Sequence, residues 1–536
     1  MNIRNTAQKI GCFFKQDTDE VLEKMFLDEK KKKQWLMILV TAIVVSLADY
    51  LLLMINGYGG PDTVAEGCFF YYGDVNAFSL YRWAIPYINY GIMRKLVAAH
   101  MIVILYALII AVAVCLLCSM FSFEKKTDVI LLTAAMVSFP VVTRQYAYIY
   151  MALAYAVAFL MVVLAAYLFR KRKWWSIAVG IFALIVMMGC YQAYVAAAAT
   201  VVIMLFIMDM VNEKKAGTAL LDMGIYIGSG IVAVLANHYV AELLAKFNGV
   251  VIAGRVDSFS VSEIFRWLKD TIGYCYLWFF NYYNEKILGR SKLYLILLLL
   301  ILVGMVFQIV RLVKNGKIVN AVLLAVGVLL MPVAINLCAI LFPHNGISSV
   351  MKYQYVMIIP IAFFFADRMP AKSIASNCLR WIVLLDVFAL VFGYSITAVS
   401  TELGYKIAYE ATEAKAELIL SDVFKTEGYE FGKTKVILGG AIDWSEAYME
   451  NRQIFLLGEV EAGPVFWSGS PGMTICRERY FKNYLGVDVG SISQAEYLEA
   501  VMSEKYAAMP LWPAEGSVDW YNDALIVKLT ENPVLY

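Results

Sequence analysis

Charge is scarce in this sequence and histidine scarcer: 16% of its 536 residues are Asp, Glu, Lys or Arg, and three are His. Soluble domains carry about a quarter of their residues charged, so a water-facing surface over most of this chain is excluded. The net charge is only +2, and no basic stretch interleaved with aromatics marks a nucleic-acid partner. Nine cysteines include one close pair, Cys115 and Cys118, inside an apolar run. That spacing offers neither a zinc site nor a disulfide framework. Also missing are a Ser/His/Asp pattern and a phosphate-cradling glycine loop, so neither metal nor cofactor is expected. A cleavable leader is lacking too, because the first apolar run is too long and has no small-residue cleavage site.

What is present is apolar: 61% of residues are hydrophobic and the mean hydropathy is +0.68. Crossing a bilayer takes roughly 20 such residues. Runs of that kind occupy 35–56, 96–118, 128–143, 147–169, 174–189, 191–211, 218–240, 292–311, 319–342, 351–367 and 381–400. The expected fold is therefore an all-α polytopic membrane bundle of about 11 transmembrane helices. A polar segment, 1–34, precedes the bundle of 35–400, and a third region, 401–536, follows it. In that last region apolar runs shorten to strand length (TKVILGG, RQIFLLG, ALIVKLT) around a helical SQAEYLEAVMSEKY. Ser493 and Glu496 have capping-box spacing there. A small α/β domain outside the membrane is expected.

Basic residues collect at Lys30 to Lys33, Lys125 and Lys126, Arg170 to Lys173, Lys214 and Lys215, Arg311 to Lys317, and Arg368 to Arg380. These are alternate loops, so the positive-inside rule places the N-terminus in the cytoplasm and the C-terminal domain outside a multi-pass cell membrane.

Polar chemistry gathers at the opposite span ends. In the first outer loop, Pro61 to Glu66 reads as a short helix ended by Gly67, with Asp62 and Glu66 four apart on one face. Either carboxylate, with Asp74 as a further candidate, is suited to accept a proton from a hydroxyl. Surface acids are common, and the competing reading of each is plain solvation. Arg82, beside Trp83 in LYRWAIPYI, has the fork geometry that clamps a phosphate bidentately; its competing role is a headgroup anchor. Arg144, and His344 with Lys352 in LFPHNGISSVMKY, are placed to join the same anionic pocket, although loop histidines are more often merely solvated.

The order of these features resembles the bacterial glucosyl transferase II family, membrane glycosyltransferases of the GT-C architecture. The segments that agree are the acidic loop followed by Arg82-Trp83, FPVVTRQYAYIYMALAYAVAFLM, GCYQAYVAAAATVVIM and MPLWPAEGSVDWYNDALIVKL. The pair Tyr191 and Gln192 is the closest match and is expected at the substrate. Tyr81 stands where the family's Gly-Arg-Trp has glycine, and Pro-Asp-Thr where adjacent acids are common. The resemblance implies transfer of a sugar, typically glucose, from a polyprenyl-phosphate carrier to a surface glycan with inversion. Asp62 is the first choice for its base and Glu66 the second. A lipid-linked glycan flippase and a glycan polymerase or ligase are the rival classes. The flippase would show repeats and broken helices in matching halves, which this sequence lacks.

Overall fold

The computed structural model describes residues 29–253, 261–281, 291–341, 347–369, 374–440, 474–531 and 533. His344 and the strand-like RQIFLLG segment lie outside the described residues.

Apolar stretches become helices because a backbone in hydrocarbon must satisfy its own hydrogen bonds. In chain order they are α1 Glu29–Asn56, α2 Pro61–Gly67, α3 Asp74–Ser79, α4 Ala84–Met93, α5 Ala99–Phe121, α6 Lys126–Ser138, α7 Pro140–Tyr146, α8 Ile149–Phe169, α9 Trp174–Cys190 and α10 Val195–Val211. There follow α11 Ala216–Phe247, α12 Val261–Asn281, α13 Ser291–Lys314, α14 Ile318–Ile335, α15 Leu337–Leu341, α16 Ile358–Asp367 and α17 Ile374–Lys425. Among the described residues nine helical stretches are long and apolar enough to cross a membrane. Two of the eleven expected spans are instead shorter apolar helices, Trp174–Cys190 and Tyr353–Asp367.

Pro140 shows how sequence shapes the bundle. It has no N–H to give to the carbonyl four residues back, so α6 and α7 part at Phe139. The freed carbonyls find other donors: Tyr353 Oη donates to Met136 O at 2.7 Å and Tyr50 Oη to Val137 O at 3.1 Å. Nearby, Tyr106 donates to Gln145, whose amide donates to Tyr194. These tyrosines are buried; their hydroxyls are affordable there because each has a partner.

Ion pairs tie the turns at one end of the bundle together. Lys30 pairs with Glu124, Lys125 with Asp367, and Arg380 with both Asp128 and Asp367. Arg170 and Lys214 share Asp209, while Arg172 and Lys214 share Asp222. The opposite end carries α2, α3, α4 and the C-terminal unit.

That unit contains β1 Lys435–Gly439, α18 Thr474–Tyr484, α19 Gln494–Val501, α20 Glu504–Ala508, β2 Val518–Tyr521 and β3 Ala524–Lys528. The sheet order is β1-β3-β2. β1 runs parallel to β3, pairing Lys435 with Ala524, and β2 runs antiparallel to it, pairing Val518 with Val527. Period-two alternation sends Val436, Leu438, Leu525 and Val527 to one core and Ile437 and Ile526 to another. The expected capping box forms: Ser493 Oγ accepts from Glu496 N, and Glu496 accepts from Ser493 N.

The boundary expected at residue 400 falls inside α17, which continues unbroken into the C-terminal unit. Val64 and Ala65 of α2 share one core with Tyr409 and Ile419 of α17, Phe481 of α18 and the sheet. The first loop and the C-terminal unit are thus packed as one piece.

Candidate active site

The first-loop helix forms as its residues dictate, with Pro61 at its first position and Gly67 at its end. Gly60 N and Thr63 Oγ1 both donate to Ala147 O, at 2.8 and 2.7 Å, which fixes α2 over the α7–α8 junction. From the other side Tyr409 Oη donates to Gly59 O at 2.6 Å, and its ring stacks on Tyr58.

Asp62 is exposed and Glu66 half-buried. Burial pushes the Glu66 carboxyl up from its ordinary value; Arg479 opposes this, and the charges of Asp62 and Asp74 add to it. Its Oε2 lies so close to Gly73 that a Cβ there would stand 2.5 Å away. Asp74 is ion-paired with Lys95, which leaves it less suited to act as a base than its neighbours. Asp62, Glu66 and Arg82 all lie within electrostatic reach of the Tyr150 hydroxyl. α2 lies against Tyr150 of α8, where a Cβ on Gly67 would stand 2.5 Å from the Tyr150 Cβ, and Arg82 reaches that same helix α8 through Tyr191, whose ring meets that of Tyr155 at 5.1 Å.

Arg82 follows α3 on a turn in which Tyr81 adopts φ 61°, the left-handed conformation that glycine takes freely. That is the position where the resembled family has glycine. Tyr81 meets the conformational cost while stacking on His238. The Arg82 guanidinium rests 4.9 Å from the centroid of the Tyr191 ring, and its buried Nε has no hydrogen-bond partner among the described residues. A charged donor in that state is matched by an anion, and a phosphate oxygen fits.

The residues around Arg82 serve as its mount. Trp83 Nε1 donates to Asn237 Oδ1 at 2.8 Å, and the indole lies against Gly189, where a Cβ would collide with it. Gln192 Nε2 donates to Leu80 O at 3.0 Å. Trp83, Tyr191 and Gln192 thus hold the arginine loop against α9, α10 and α11. Arg144 is buried in α7, and the 3-10 turn Ser349–Met351 just before half-buried Lys352 packs on that helix. Among the described residues, no group of three or more His, Cys, Asp or Glu is placed to hold a metal ion.

Tyr71 and Arg479 lie near the site without any local sequence signal, while Tyr150 falls in one of the segments that resemble the family and Asn237 is a polar residue near an outer span end. Each reaches it through tertiary packing, and the density of tyrosine near Arg82 is the nearest thing to a hint.

No curated protein and no solved structure matches this chain. The family model described as Glucosyl transferase GtrII matches residues 69–359, more than half of the 536 residues. The match takes in Arg82, Trp83, Tyr191 and Gln192, starts just after Glu66, and ends before the C-terminal unit. The chain belongs to the glucosyl transferase GtrII family.

Proposed function

We propose that this membrane glucosyltransferase moves glucose from a polyprenyl-phosphate carrier to a surface glycan on the outer face of the cell membrane. The observation that carries the reading is that α2, which bears the two carboxylates, lies against Tyr150, within electrostatic reach of half-buried Arg82, whose Nε has no hydrogen-bond partner among the described residues. A monophosphate leaving group needs a cation, and an acceptor hydroxyl needs a base; the site holds both. The basic clusters at the far end of the bundle support a cytoplasmic N-terminus and an outward-facing site.

Glu66 is better suited than Asp62 to act as the base. Burial raises its proton affinity, and a base works best when its pKa lies nearer the working pH. Asp62, exposed in the first turn of α2, has its charge favoured by the helix N-terminus. In the transfer, Glu66 takes the acceptor O–H proton while the acceptor oxygen bonds to the anomeric carbon. The bond from that carbon to the phosphate oxygen breaks, and the electron pair leaves with the polyprenyl phosphate, which Arg82 holds. Attack from the face opposite the phosphate inverts the anomeric centre. GT-C architecture is consistent with a site built from loops at one end of a helical bundle.

The test measures donor binding and turnover on the same purified protein, with radiolabelled polyprenyl-phosphate glucose. Glu66→Gln should lower turnover by about 100- to 10,000-fold, the usual contribution of a general base, and leave donor binding intact. Loss in Asp62→Asn with normal turnover in Glu66→Gln would move the base back by one helical turn. Normal turnover in both would remove the first-loop mechanism.

A further inference from the structure

The chain between α2 and α3 is tied down on both sides. Tyr72 N donates to Glu66 O and Tyr71 N to Lys95 O, each at 2.7 Å. The Tyr71 ring stacks on that of Tyr150, with centroids 5.9 Å apart and planes 22° from parallel. Its hydroxyl is buried and has no hydrogen-bond partner among the described residues. Gly73 comes next and opens α3, its carbonyl accepting from Ala77 N at 2.9 Å. With φ −79° and ψ 21° its backbone asks for no glycine. The space around it does. A Cβ there would stand 2.5 Å from Glu66 Oε2, 2.8 Å from Tyr71 Cε2 and 3.2 Å from Tyr71 Oη. Carboxyl and phenol meet over the bare Cα.

We propose that Gly73 is a positioning residue for sugar transfer: its missing side chain leaves the seat in which the Glu66 carboxylate lies against Tyr71. The inference rests on the reading of Glu66 as base. Of the groups that crowd the seat, Tyr71 is held, because its ring is stacked on Tyr150 and its backbone is bonded to Lys95. The Glu66 carboxyl is the far end of a flexible side chain. A methyl group at position 73 is therefore accommodated by moving that carboxyl, with little disturbance of the fold. The chemistry suffers instead. A general base must stand within hydrogen-bond reach of the proton it takes, and a displacement of about 1 Å can lower a rate by about 100-fold. Tyr71 Oη gives the seat a polar wall, which suits a carboxylate better than a hydrocarbon one. The neighbouring acid, Asp74, is held by Lys95 and leaves the seat to Glu66.

The experiment uses the full chain in lipid nanodiscs, radiolabelled polyprenyl-phosphate glucose, and surface glycan isolated from the producing cells as acceptor. It compares Gly73→Ala, alone and with Glu66→Asp, after checking folding by thermal unfolding. Gly91→Ala in α4 is the control, since a Cβ there meets nothing within 4 Å; it should turn over like wild type. Gly73→Ala should lower kcat by about 10- to 100-fold while donor Kd and acceptor KM stay unchanged. Glu66→Asp withdraws the carboxyl from the seat by one methylene. In that background Gly73→Ala should have no further effect on kcat. Wild-type kcat in Gly73→Ala would overturn the proposal, and so would a raised Kd or KM with kcat intact. An equal loss with and without Glu66→Asp would overturn it in favour of a purely structural contact. If Gly73→Ala alone fails to fold, adding Glu66→Asp removes the collision and should restore folding; a double variant that still fails to fold would refute the seat. Full turnover in Glu66→Gln would instead refute the base, a result that this single variant reports whatever Gly73 does.

Discussion

Arg82 gains its character from what surrounds it. A guanidinium on a tyrosine face, with a buried Nε that has no partner among the described residues, keeps hydrogen-bonding capacity in reserve for an anion. Lysine keeps the charge but loses the planar fork. Arg82→Lys should therefore weaken donor binding by about 10- to 150-fold, the equivalent of about 1.5–3 kcal/mol for a charge-assisted contact. Donor saturation equal to wild type in Arg82→Ala would reduce the residue to a headgroup anchor. Asp62, Glu66 and Arg82 stand out in the sequence as candidates because their residue types sit in an otherwise apolar and aromatic context. Asp74 has the same type and neighbourhood, yet its partner Lys95 lies beyond α4 and only the folded loop joins them. The role of Tyr81 was legible only by contrast with glycine, and the structure supplies the reason in its φ of 61°.

At the scale of elements, α2 follows directly from local chemistry, since proline opens it and glycine closes it. α17 does not. Hydropathy ends the last span at 400 because the solvent changes there, but helix formation does not depend on the solvent alone. The continuation EATEAKAELILSDVFK is rich in Ala, Glu, Lys and Leu, all strong helix formers, and the helix runs to Lys425. The break at Pro140 falls inside the apolar run 128–143, and the two tyrosines that cap its freed carbonyls come from α1 and from the turn before α16. Tyr409 joins these levels, linking α17 to Gly59 through one hydroxyl that donates to the carbonyl and accepts from the amide. Tyr409→Phe leaves both backbone groups buried without that partner. A loss of about 1–3 kcal/mol in unfolding free energy is expected, with faster amide exchange in α2. Unchanged stability and exchange would show that α2 is held by Ala147 alone.

Across the whole molecule, alternating helices sort the chain into two ends, one laced by ion pairs and the other bearing the acids and the arginine of the site. If the paired end faces the cytoplasm, a reporter fused after Tyr536 should be active only outside the membrane, and one inserted near Lys171 only inside. The reverse pattern would turn the site inward and separate it from any outer acceptor. Hydropathy was enough to find the bundle, whereas the joint core of first loop and C-terminal unit was hidden, because α2 and α18 are remote in sequence and meet only after folding. The 52 residues of α17 make a rod of about 78 Å, of which hydrocarbon accounts for roughly 30 Å. Such a rod sets the standoff of the C-terminal unit from the bilayer as a scaffold pole sets the height of a platform. Because α2, α17 and α18 share one core, a change in its tilt, including one forced by bilayer thickness, carries the acidic loop and the C-terminal unit together, so lipid composition becomes a mechanical input to how high the site stands above the headgroups.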